Sequence, residues 1–146
     1  MPWYVPALLT AAGWGLAYTL AESVTKGITK TTYLLLCGII QCCFFACMAA
    51  KQEKFGSDLR YLWETPRALP FLLMISFVSI ASNYLSLTAI QLKNAASAAA
   101  VETTYPLWTA LFAYLLFGQS QLSIAGLFGT VMVMGGICII ALTGKH

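Results

Sequence analysis

The stretch NYLSLTAIQLKNAASAAAVETTYPLWTALFAYLLFGQ, residues 83–119, holds only two charged side chains, Lys93 and Glu102. Apolar residues run up to Lys93-Asn94 from both sides, so that pair reads as a tight turn between two helices that are hydrophobic all round. A helix needs about 20 such residues to cross a bilayer. Working outward, the same texture gives five spans, at about 3–21, 32–50, 69–92, 95–117 and 122–143. The expected fold is all-α: one domain over 1–146, an integral membrane bundle of five transmembrane helices.

Composition excludes the soluble alternatives. Of 146 residues, 60% are hydrophobic and 9% charged, and the mean hydropathy is +0.79. A soluble domain carries roughly 25% charged residues, so much of this surface must face lipid. The net charge of +3 is scattered singly through apolar runs and makes no basic stripe, which argues against nucleic acid. Cys37, Cys42, Cys43 and Cys47 lie in one apolar run and Cys138 in another, where thiols act as small hydrophobes and not as a metal set. No phosphate loop, zinc motif, nucleophile elbow or dinucleotide fingerprint is present, and His146, the single histidine, is terminal. No enzyme, cofactor or metal is expected. The first apolar stretch has no basic region before it and is expected to persist as a span.

The connections constrain the bundle. Lys93-Asn94 and the turn from Gly118 to Gln121 are so short that the helices they join should be antiparallel neighbours. Spans three, four and five are therefore expected to form one compact unit. The segment 51–68 holds most of the soluble charge and reads as a loop, with Pro66 and Pro70 leading into the third span. Five spans place Lys51, Lys54, Arg60 and Arg67 on one side and Lys26, Lys30, Lys93 and Lys145 on the other. That balance gives the positive-inside rule nothing to act on. Either the long loop sets the cytoplasmic side, or the chain inserts both ways and pairs antiparallel with itself.

Glu102 is the most informative residue. It lies about 10 Å along the fourth span at 1.5 Å per residue. A carboxylate that deep is costly and usually faces a bundle interior or a water-filled path. Pro106, four residues on, removes the N–H that would pair with the Glu102 carbonyl, so a kink is expected beside the acid. Broken helices of this kind line transporter sites; the plainer alternative is a structural Glu bonded to a neighbouring hydroxyl. In the first span Trp14, Tyr18 and Glu22 share a face, and aromatics beneath an acid suit an organic cation or a stacked ring, although Glu22 is near enough to the span's end to be simply solvated. Ser76, Ser79, Asn83 and Ser86 share a face of the third span, where hydrogen bonds to other helices are the plain reading. Gln41, mid-span in the second helix, is a further pore-lining candidate. Gly126, Gly129, Val133 and Gly136 form a slim face on the fifth span, suited to helix packing or a dimer contact.

These features together resemble an EamA domain of the drug/metabolite transporter superfamily. The resemblance rests on Ala89-Ile90-Gln91 ending a span, the small-residue run after it, Tyr105-Pro106, and Leu116-Phe117-Gly118. Trp14-Gly15 and Lys26 near the start and the Gly-rich last span add to it. The chain departs from the pattern at Gln119, where the family usually has Glu. The resemblance implies secondary transport of a small molecule, commonly export of a metabolite, amino acid or drug. It also implies that this single unit is one half of an inverted-repeat architecture, since an odd number of spans inverts on duplication.

The expected function is export by alternating access from a bacterial cytoplasmic (inner) membrane, in contact with membrane lipid. The chain would work as a homodimer, antiparallel in one form, or as a heterodimer with a similar small membrane protein. Substrate would sit among Trp14, Tyr18, Gln41, Asn83, Glu102 and Tyr105, with Glu102 coupling transport to protons. The rivals are a non-transporting membrane partner and a lipid-carrier flippase subunit of a larger complex.

Overall fold

The computed structural model describes residues 2, 4–120 and 123–143. Trp3, Gln121, Leu122 and His146 of the sequence reading, with Lys145 from the charge count, lie outside them. Seven helices form among the described residues, with no strand: α1 Tyr4–Val24, α2 Lys30–Ala50, α3 Phe55–Glu64, α4 Ala68–Leu92, α5 Ala95–Glu102, α6 Tyr105–Phe117 and α7 Ile124–Thr143. The chain divides into two compact units. One holds Met1–Glu22 and Ala89–His146, and the other holds Ser23–Thr88. The expected grouping of spans three, four and five is thereby corrected. Most of α4 falls with α2 and α3, while α1 joins α5, α6 and α7.

In the second unit, α2 and α4 are each long and apolar enough to cross a bilayer. Leu35, Ile40, Phe77 and Ile80 are all largely exposed within the chain, as side chains that meet lipid would be. Two polar side chains of α4 are satisfied locally. The Ser76 hydroxyl donates to the Leu72 carbonyl at 2.8 Å, and Asn83 Nδ2 to the Ser79 carbonyl at 2.9 Å. These two side chains turn back on their own helix, where bonds to other helices were the plain expectation. The start of α2 is fixed beside the end of α4 by Lys30. Its Nζ donates to Thr88 Oγ1 at 3.0 Å and lies 5.0 Å from the Tyr84 ring centroid.

The segment expected as a loop contains a helix. In α3, Phe55, Leu59 and Leu62 recur at i, i+4 and i+7, with Arg60 and Glu64 opposite, so the helix is amphipathic. Of the charge that suggested a loop, Asp58, Arg60 and Glu64 lie on this helix, and Lys51, Glu53, Lys54 and Arg67 flank it. The exposed Arg60–Glu64 pair, at 3.9 Å, adds little.

In the first unit, α5 and α6 both pack on α7. Ala95, Ser97 and Ala98 of α5 and Ile137 of α7 are buried. The slim start of α5 lets the two backbones approach, as small residues do between helices in lipid. Gly118 ends α6 in the left-handed region at φ 67°, with its N–H on the Tyr114 carbonyl at 2.9 Å. Only glycine takes that conformation freely. Among the described residues α2 and α4 alone meet the length and apolarity of a span, and α7 contributes a shorter apolar run at Ile124–Ile140.

Candidate functional site

The expected continuous span over 95–117 is broken. α5 stops at Glu102, and α6 begins at Tyr105 with Pro106 in its first turn. A proline inside a helix has no N–H and its ring collides with the carbonyl four residues back, whereas in a first turn neither matters. The chain resolves the conflict by ending one helix and starting another. The join is stitched by short-range bonds: Thr104 N–H to the Val101 carbonyl at 3.2 Å and Leu107 N–H to the Thr104 carbonyl at 3.0 Å. Thr103 Oγ1 also donates to the Ala100 carbonyl at 2.6 Å. Glu102 is left as the last residue of one helix and Tyr105 as the first of the next.

α1 brings aromatic rings to this break. The Tyr18 hydroxyl donates to Glu102 Oε2. Trp14, one turn earlier, meets the Tyr18 ring edge-on, with centroids 5.8 Å apart and planes at 69°. Four residues beyond Tyr18, Glu22 Oε2 accepts the Ala95 N–H at 2.7 Å. That carboxylate sits at the N-terminus of α5, where backbone N–H groups lack partners and negative charge is favoured. Asn94 caps the same end, its Oδ1 accepting from the Ser97 N–H at 2.8 Å. The two ties, 18 to 102 and 22 to 95, make α1 and α5 antiparallel.

Between them lies a cavity of about 570 Å³, lined by Ala7, Thr10, Ala11, Trp14, Gly15, Tyr18, Ala99, Glu102, Thr103 and Tyr105. Four of the candidate residues, Trp14, Tyr18, Glu102 and Tyr105, thus share one site. Tyr18 and Glu102 are half-buried, while Trp14 and Tyr105 are more open. Asn83 and Gln41 belong to the other unit and are not among the described lining residues. Glu22 is occupied at a helix end, outside the cavity lining. A Cβ added at Gly129 or Gly136 would meet nothing within 4 Å, so neither glycine is pressed against a neighbour within the chain. Gly126 is half-buried and receives the Thr130 hydroxyl on its carbonyl at 2.7 Å.

Sequence reasoning allowed a hydroxyl partner for Glu102 without naming Tyr18, and it missed the role of Glu22. No local pattern encodes either, because the partners are 84 and 73 residues apart. The one available signal was that 14, 18 and 22 share a face, while Glu102 is the one acid inside an expected span and Glu22 falls just past the end of the first.

The model of one protein family, described as the EamA-like transporter family, matches residues 1–142. No curated protein and no solved structure matches the chain.

Proposed function

The chain belongs to the EamA-like transporter family, a membrane-embedded family of the drug/metabolite transporter superfamily, and from that premise we propose that it exports a small metabolite, amino acid or drug by alternating access. All five apolar stretches would span a bacterial inner membrane, with α5 and α6 together forming one interrupted crossing. Substrate would occupy the cavity beside the break, and Glu102 would alternate between proton and substrate. The observation that carries this reading is the Tyr18–Glu102 bond at the wall of that cavity. It supports a carboxylate facing protein and cavity, as intramembrane acids in transporters do.

One unit offers half of an inverted repeat, so the working form would be a homodimer, antiparallel in one arrangement, or a pair with a similar small membrane protein. The space around Gly129 and Gly136 is what an interchain helix contact would use. Candidate-compound efflux from vesicles holding the full chain, set against Glu102→Gln, tests the mechanism. Loss of proton-dependent flux in the variant is expected; flux that stays the same and ignores pH would remove Glu102 from it.

A further inference from the structure

We infer that the cavity beside the α5–α6 break takes a monovalent organic cation bearing an aromatic group, an assignment that rests on the transport reading above and narrows it. Trp14, Tyr18 and Glu22 share a face of α1, but Glu22 is already committed to the Ala95 N–H. The acid that meets the rings is Glu102, delivered from the other side by α5.

Three observations converge on charge. Glu102 is the only carboxylate among the described lining residues, and no Lys, Arg or His lines the cavity with it. No described cation lies within ion-pair distance of Glu102; the Arg60–Glu64 contact is the ion pair found among the described residues. Its described side-chain partner is the neutral Tyr18 hydroxyl. A half-buried carboxylate with no counter-charge beside it leaves the cavity wall short of positive charge. A bound cation supplies that charge. An anion would add to the deficit, and a zwitterionic amino acid would leave its own carboxylate unmatched.

The rest of the wall selects the cation's body. Trp14, Tyr18 and Tyr105 offer three ring systems, and ring faces attract organic ammonium groups more strongly once water is excluded. The remaining lining is small: Ala, Gly and Thr. A volume of about 570 Å³ falls within the range of drug-sized ligand pockets. Strongly hydrated inorganic cations would gain nothing from the rings.

The test uses the detergent-purified full chain and three probes that share a phenylalkyl body: phenethyltrimethylammonium, phenylalanine and 3-phenylpropionate. Calorimetric titration should give the ammonium an affinity about tenfold or more above the other two. Glu102→Gln should erase that preference. Trp14→Leu should weaken the ammonium severalfold more than the other two, which keeps the question answerable if Glu102→Gln fails to fold. Equal binding of all three probes, or a preference for the zwitterion or anion, overturns the cation assignment, while Glu102-dependent flux in vesicles keeps the transport reading standing. Failure of every probe to bind overturns the assignment too, and absence of flux alongside it removes both.

Discussion

The helix α4 and the pair α5 and α6 are built from similar apolar sequence and each contains proline, yet α4 runs 25 residues without interruption and α5 stops after eight. The difference lies in where the proline falls. Pro70 is the third residue of α4, in a first turn whose N–H groups have no helical partner anyway. Pro6 occupies the same position in α1. Pro106 comes in the middle of its apolar run, and there the helix restarts so that this proline, too, occupies a first turn. The lesson is that proline does not set the break by its presence but by its register within the run. Here the register leaves the break beside Glu102, the carboxylate on the cavity wall.

The largest effect should come from removing that register dependence. Pro106→Ala restores an N–H that α5 can use to continue into α6, which would carry Glu102 and Tyr105 away from Trp14 and Tyr18. Vesicle flux is expected to fall on the order of tenfold or more, since displacing a positioned group by about 1 Å is already costly, while helical circular dichroism holds or rises. Pro70→Ala in α4 should leave flux alone. Matching behaviour of the two variants would break the comparison.

A smaller effect separates the two units by their polar ties. Tyr18→Phe deletes the donor to Glu102 and keeps the ring. A hydrogen bond to a charged group is worth about 1.5–3 kcal/mol of stability, so unfolding in detergent should register a loss up to about that size, and substrate affinity or flux should shift severalfold. Unaltered binding and flux would mean that Tyr18 only packs there.

The smallest effect belongs to the second unit. Lys30→Met loses the contact with the Tyr84 ring and the bond to Thr88. Unfolding in detergent should register about 0.5–1 kcal/mol for the ring contact, and flux should hold. A flux loss as large as that of Tyr18→Phe would show that transport chemistry extends into this unit.

Much of the fold could be read in the sequence because lipid imposes a simple rule of length and apolarity. The bounds of α2 and α4 follow from it within two residues, and the Lys93-Asn94 turn appears where expected. α3 was obscured because charge density reads as loop until its 3.6-residue period is counted. The kink expected at Pro106 is a full break, since Thr103 and Thr104 can close it with their own short-range bonds. Four site residues meet because the unit folds α1 against α5, a pairing that periodicity within either helix does not specify. Asn83 shows the limit from the other direction: a polar group mid-helix can be satisfied by its own backbone.

The double attachment of α1 to α5 has a mechanical corollary. Glu22 grips a main-chain N–H and Tyr18 grips a side-chain carboxylate, so the two fastenings differ in what can undo them. A proton or cation arriving at Glu102 competes only for the second. Were that one surrendered, the first would still hold the start of α5 to α1, with α7 packed alongside.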